Sequence, residues 1–307
     1  MTTLEVREVA GPIARTGRVE LIQRGELLSR HTSLGIGGPA DYFADPRTLN
    51  EVEDVLAFAQ ERGLPWLMLG NGTNTLFPDE GFRGVVIHLG RSFSAKRIEE
   101  DRLYVQAGAS LGVAMIYLRT HGFYDFDGLV GIPGTMGGAL AMNAGIPEVT
   151  ISEYLLSLTV LTNEGSLLNL SREECEFGYR TSLFRRRPWA ILMGEFQLGG
   201  PQRFDPENLL QRRRERQPLR WKSAGCVFQN PGGPFTAGQL IEQVSLKGFR
   251  CGGAMISPIH ANFIVNCGGA IAWDILHLID IAREKVYKEF RVELRLELAV
   301  VSNQNFQ

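Results

Sequence analysis

The sequence predicts an α+β fold: a first part built around glycine loops, then a smaller α/β part from about Pro201 onward. Three observations carry that prediction. Short apolar runs alternate with helical spacings between Leu49 and Leu161, the pattern of strands packed with helices. Loops of glycine and amide residues interrupt these elements at Gly35–Asp41, Gly70–Asn74 and Gly128–Gly145. After Pro201 a new region opens with a capped helix start that runs into Arg212, Arg213, Arg214 and Arg216.

Taken in order, residues 1–30 are charged, with a short amphipathic segment around Leu21, Ile22, Leu27 and Leu28, and no chemistry is assigned to them. Leu49, Val52, Val55, Leu56 and Ala59 fall at helical spacing, and Gly63 with Pro65 marks the stop. Trp66–Leu69 reads as a short buried strand with the Gly70–Asn74 loop at its carboxyl end, and Val85–Ile87 as its neighbour. Leu103–Val105 is a strand, Leu111–His121 a helix, and Leu155–Leu161 and Ala190–Phe196 are further strands. Asp205 as N-cap with Pro206 at the first helical position starts the next helix. The arginines at its end read as a solvated, dipole-favoured face. Leu240, Ile241, Val244 and Leu246 give a helix stopped at Lys247-Gly248, Phe263–Val265 a strand, and Ile275 to Phe290 a long amphipathic helix. In the last strand Val292, Leu294, Leu296 and Leu298 share one face, which leaves Glu293, Arg295 and Glu297 on the other.

Charge excludes some partners. With 32 basic against 34 acidic residues among 307, nothing grips nucleic acid or an anionic membrane in bulk. Cys175, Cys226, Cys251 and Cys267 form no C-x-x-C pair and no metal-ligand spacing with the five histidines, so reduced thiols and no metal are expected. No apolar run approaches the roughly 18 residues of a membrane span, and no secretory h-region opens the chain, so a cytoplasmic protein is expected.

The glycine loops point to a ligand. Thr135, Asn143 and exposed backbone N–H groups are donors of the kind that form phosphate-binding nests. Neither the P-loop ending nor the G-x-G-x-x-G spacing is present, so both familiar phosphate loops are excluded. Three such loops suggest a long, polyanionic ligand in several parts, such as a dinucleotide cofactor.

HTSLGIGGPADYF, LGNGTNTLFPDEGFRGVVI, GIPGTMGGALAMNAG, FGYRTSLF, SAGCVFQNP, AGQLIEQVSLKG and HANFIVN, in this order, resemble the UDP-N-acetylenolpyruvoylglucosamine reductase (UDP-N-acetylmuramate dehydrogenase) family. The resemblance runs from about residue 30 to residue 301. It implies a two-part FAD-binding module of the vanillyl-alcohol-oxidase type followed by a smaller α/β substrate-binding domain, divided as 1–90, 91–200 and 201–307. It implies non-covalent FAD held by Gly37, Gly70, Asn71, Gly72, Thr73, Asn74, Gly131, Ile132, Pro133, Gly134, Thr135, Gly137, Gly138, Asn143 and Gly145. It implies NADPH as co-substrate and reduction of UDP-N-acetylglucosamine-enolpyruvate in peptidoglycan precursor synthesis, by a monomer acting on small molecules. The short FRRRPW segment, Phe184–Trp189, matches the subclass that lacks a tyrosine-bearing loop over the substrate.

By the same resemblance Arg180 polarises the substrate carboxylate, Glu297 assists, and Cys226 stands where the family most often has a serine proton donor. A thiol, ordinarily titrating at about 8.5, is a far stronger acid than a serine hydroxyl, so activity is expected to fall as pH rises through its pKa, and alkylation to inactivate. Tyr179, Arg216, Asn230 and Lys247 are the implied substrate contacts, while Gln229 replaces an expected lysine. Two alternatives remain at this point: an oxidase on the same scaffold, and a nucleotide-sugar binder without turnover.

Overall fold

The computed structural model describes residues 21–303, so positions 1–20 of the charged segment 1–30 lie outside the described residues. The first sheet orders its strands Ile22–Gln23, Ala40–Ala44, Phe82–His88 and Trp66–Leu69, the last three mutually parallel. Helix α1, Leu49–Glu61, carries the chain from Ala40–Ala44 to Trp66–Leu69, on either side of Phe82–His88, with Val52, Val55, Leu56, Ala57 and Ala59 buried. Thr48 caps its start by accepting from Glu51 N. The amphipathic segment around Leu21 is a short edge strand followed by a single 3-10 turn, in which Leu28 is fully buried.

The second sheet is antiparallel throughout, in the order Leu167–Ser171, Leu155–Leu161, Ala190–Gln197, Arg102–Gln106 and Lys96–Glu99. Helices α2, Leu111–Thr120, and α3, Met136–Ala141, share its core, and the edge-on pair Phe126–Phe196 anchors it. FRRRPW is no more than a 3-10 turn, Leu183–Arg185, and a return into the strand at Ala190.

Beyond Gly200, helix α4, Pro206–Arg216, begins where capping chemistry places it: Asp205 accepts from Glu207 N and Asn208 N. The third sheet runs Lys222–Ser223, Ile264–Asn266, Ala254–Ile256 and Arg250–Cys251, packed with α5, Ala237–Gln243, and α6, Ala272–Phe290. Helix α5 ends earlier than expected because Ser245 takes a left-handed φ of 58°, after which Leu246 turns back into the core.

The expected last strand is a correction. Arg291 is left-handed and residues 292–298 form no regular strand; only Leu296 forms a bridge, to Phe228, and a regular strand begins at Ala299–Val300, which pairs in parallel with Thr75–Leu76 of the first part. The chain thus returns to the loop after its first buried strand. Leu294 and Leu298 are buried and Glu293 and Arg295 exposed, as alternation predicts, while Glu297 is largely covered.

Candidate active site

Two extended segments lie side by side. Val227 O accepts from Glu297 N at 2.9 Å and Leu298 N at 3.2 Å, and Gln229 N donates to Arg295 O at 2.9 Å. Asn262 fastens the first segment: its Oδ1 accepts from Phe228 N at 2.9 Å and its Nδ2 donates to Phe228 O at 2.8 Å. This clamp sets Cys226 beside Glu297.

Arg180 arrives from the other side, on the GYRTS turn. Its φ of 55° is left-handed, a conformation that costs an L-residue free energy and that surrounding contacts must hold. Those contacts are present: Nε lies 3.2 Å from Glu297 Oε1, Nη2 donates to Gly145 O at 2.7 Å and Nη1 to Asn143 O at 3.4 Å. The Tyr179 ring stands 5.2 Å from the guanidinium carbon. Glu297 is held by its main chain as well, since its carbonyl accepts from Asn74 Nδ2 at 3.0 Å and Arg185 Nη1 at 3.3 Å.

Burial governs the electrostatics. It pushes the Glu297 carboxyl up, against the pull of Arg180 and Arg185. It pushes the Cys226 thiol up to about 12, reinforced by Glu297 and opposed by Arg180 and Arg213. The same desolvation lowers Arg213 and Arg185.

Two glycine loops face one another over this knot. A Cβ built on Gly70 would stand 2.3 Å from Thr135 Oγ1, and one on Gly134 would stand 3.1 Å from Thr73 Oγ1. Thr73 Oγ1 donates to Pro133 O at 3.4 Å, and Thr135 caps α3 by accepting from Gly138 N at 3.3 Å. Among the described residues, the backbone N–H groups of Asn71, Gly72, Thr73, Asn74, Gly134 and Thr135 donate to no other group. Asn143 Oδ1 is buried without a partner, while its Nδ2 donates to Gly178 O at 3.0 Å.

Comparison with known proteins decides the family. Residues 40–171 match the FAD binding domain, and residues 217–301 match the C-terminal domain of UDP-N-acetylenolpyruvoylglucosamine reductase. The chain is 41% identical over 300 residues to the UDP-N-acetylenolpyruvoylglucosamine reductase of Heliobacterium modesticaldum, covering 96% of this chain and 95% of that protein. It is 39% identical to the one from Clostridioides difficile, over 92% of this chain and 94% of that protein. The crystal structure of the Thermus caldophilus reductase (MurB) superposes with a TM-score of 0.75 at 35% identity, covering 92% of this chain and 99% of that one.

The chain belongs to the UDP-N-acetylenolpyruvoylglucosamine reductase family.

Its first part is the family's two-part FAD-binding module, and its last part the smaller C-terminal domain. The glycine cradle fits FAD on its own chemistry. Six unengaged N–H donors suit a diphosphate, and the unpaired Asn143 oxygen is an acceptor awaiting a donor. Gly131, Pro133 and Gly138 are exposed along the cradle's rim, with Ile132 and Gly137 half-buried. Gly72 and Gly145 are absorbed by packing, because a Cβ would meet His31 O and Val149 O, each at 2.2 Å. Gly37 is likewise accounted for by the core, where a Cβ would meet Phe77 and Leu28 at 3.0 and 3.1 Å.

The residues expected from the sequence to contact substrate are only partly gathered. Tyr179 sits at the knot, and Arg180, Cys226 and Glu297 meet there. Asn230 uses its Oδ1 to accept from Ala237 N at 3.1 Å, Lys247 pairs with Glu242 at 2.7 Å, and Arg216 is exposed. Sequence reasoning missed Arg185, Arg213 and Asn262. The first two were hidden in arginine runs that have the composition of a solvated face, and Asn262 in a motif read only for its strand.

Proposed function

We propose that this chain is a cytoplasmic, monomeric NADPH-dependent UDP-N-acetylmuramate dehydrogenase. It reduces the enolpyruvyl double bond of UDP-N-acetylglucosamine-enolpyruvate to give UDP-N-acetylmuramate, a CH–CH oxidoreduction in peptidoglycan precursor synthesis. The observation that carries this reading is the convergence of Arg180, Glu297 and Cys226 beside the FAD cradle. FAD, which the Gly70–Asn74 and Gly131–Gly138 segments would hold, would supply hydride transfer between the nicotinamide and the enolpyruvyl methylene carbon.

The rest falls to side chains. The adjacent carbon gains negative charge that spreads into the substrate carboxylate, and an oriented guanidinium lowers the free energy of that enolate. Arg180 is so oriented by Gly145 O, Asn143 O and Glu297. Cys226, partly buried, stays protonated and delivers a proton from Sγ to the enolate carbon. Glu297 sets the direction of Arg180 and balances its charge. Tyr179, Arg216, Asn230 and Lys247 contact the nucleotide sugar in this reading, within the three-part division 1–90, 91–200 and 201–307.

The test is NADPH oxidation by purified flavoprotein with and without UDP-N-acetylglucosamine-enolpyruvate. Rapid oxidation that depends on the enolpyruvyl substrate is the expected result. Oxidation sustained by oxygen alone would replace the reading with an oxidase. A protein without flavin absorption would replace it with a binder.

A further inference from the structure

Three carbonyls on one short stretch accept from one turn. Ala141 O takes a bond from Ser182 Oγ at 2.7 Å, Asn143 O from Arg180 Nη1 at 3.4 Å and Gly145 O from Arg180 Nη2 at 2.7 Å. Asn143 also reaches across with its side chain, Nδ2 donating to Gly178 O at 3.0 Å. The amide has only this orientation, because a carbonyl accepts and Oδ1 would repel it. Gly178 and Thr181 close the turn themselves, each N–H donating to the other's carbonyl, at 3.0 and 3.3 Å.

Asn143 and Arg180 are both left-handed, with φ of 45° and 55°. The cost of that conformation differs between them. Asparagine visits it readily, whereas arginine must be held there by its surroundings. The Nδ2 bond falls two residues before Arg180, on the carbonyl that anchors the turn. A shift of Gly178 would carry Arg180 Nε away from Glu297 Oε1, which lies 3.2 Å from it.

The fold needs this side chain less than the turn does. Asn143 Oδ1 is buried with no partner among the described residues, which costs stability. If the amide were removed, Gly178 O would keep its bond from Thr181 N and would not be left unpaired.

We propose that Asn143 is a positioning residue for Arg180: its side-chain amide holds the Gly178–Thr181 turn, and with it the direction of the guanidinium. The proposal rests on the reading above that Arg180 acts on the enolpyruvyl substrate. It gives the amide a use besides the cofactor contact expected from the sequence.

Asn143→Gly tests it, since glycine takes a left-handed φ freely and only the side chain is lost. In the FAD-saturated protein, hydrogen exchange at the amides of Gly178 and Thr181 should quicken roughly 3- to 10-fold, the loss of one hydrogen bond, while Tm stays close to wild type. Stopped-flow absorbance separates the half-reactions. Flavin reoxidation by UDP-N-acetylglucosamine-enolpyruvate should slow roughly 10- to 100-fold, with reduction by NADPH near the wild-type rate. In an Arg180→Ala background the glycine change should slow reoxidation no further, because the residue it acts through is gone. Asn143→Asp also tolerates a left-handed φ, and its carboxylate has no donor for Gly178 O, so it should share the defect if the glycine variant fails to fold. Additive losses in the double variant would overturn the proposal. So would unchanged exchange at Gly178 and Thr181, or equal slowing of both half-reactions with a lowered Tm, the signature of a residue that only packs. Wild-type flavin that the enolpyruvyl substrate does not reoxidise would sink the substrate reading, and the exchange measurement, made without substrate, would still decide whether Asn143 holds the turn.

Discussion

Cys226 acts in a setting that its sequence position does not reveal. An ordinary thiol would lose its proton as pH rises past about 8.5, and alkylating reagents would attack it. Burial and Glu297 instead push it up to about 12, so it stays protonated, as the proposed proton donation requires. The wild-type pH profile should therefore show no descending limb from this thiol below about pH 10, and iodoacetamide at neutral pH should inactivate slowly. Cys226→Ser should keep substantial activity, while Cys226→Ala should slow flavin reoxidation by substrate about 10²–10⁴-fold with flavin reduction by NADPH intact. Wild-type reoxidation rates in the alanine variant would move the proton donor elsewhere. Glu297 carries a stability cost in the same knot. Its carboxyl is raised in the fold, so its contribution is fully present below the ordinary carboxylate pKa and lost as pH rises through the raised one. Glu297→Gln, which still accepts from Arg180 Nε, should then match or exceed wild-type Tm at pH 7, lose that advantage near pH 4, and be deficient in turnover. A Tm that falls at pH 7 and recovers in acid would reverse the sign of this argument.

At the scale of elements, the cradle's glycines separate into two kinds. Gly134 has φ +127°, a conformation strained for any side chain, so its replacement damages the loop whatever binds there. Gly138 has no such φ, and its nearest neighbour to an added Cβ is Thr135 Oγ1 at 3.5 Å. Gly138→Ala should leave apoprotein Tm within a degree or two of wild type and still weaken FAD binding, measured by flavin fluorescence quenching. Full flavin loading at wild-type affinity would put the cofactor elsewhere. The contrast shows what a sequence makes legible. Helix α4 was readable to the residue because Asp205 accepts from groups two and three positions away and Pro206 presets the first helical position. The GIPGTMGGALAMNAG stretch read as one loop, whereas Met136–Ala141 within it folds as helix α3, capped by Thr135. Arg213 was not readable: it lies about 60° around the helix from Arg216, and only the packing of α4 decides which of them lies over Gly131. Glu297 shares the polar side of an alternating segment with Glu293 and Arg295, and a partner 117 residues earlier in the chain, Arg180, sets it apart.

Across the whole molecule, the cofactor module and the C-terminal domain are joined at their most functional points. Ala299 N donates to Asn74 O at 3.0 Å and Val301 N to Leu76 O at 2.9 Å, so the last strand is hydrogen-bonded to the cradle loop and its continuation. Asp79 reaches the other way and caps α6, accepting from Ala272 N at 2.7 Å and Trp273 N at 3.2 Å. Asn74 ties the same loop to the Glu297 carbonyl, which lies two residues before that strand. A ligand that orders the cradle must therefore also restrain the segment bearing Glu297, because opening the strand would break bonds to the loop the ligand holds. Linkage gives the size: with FAD at 100 times its Kd, opening that requires cofactor release becomes about 2.7 kcal/mol less favourable, or roughly 100-fold rarer. Hydrogen exchange of the apoprotein and the FAD-loaded protein measures this directly. The amides of Ala299 and Val301 should slow on FAD addition by a factor close to that of the FAD-binding loop, since one opening event exposes them all. Protection that rises in the cradle and leaves Ala299 and Val301 unchanged would mean that the C-terminal strand opens independently, and that cofactor occupancy does not help position Glu297.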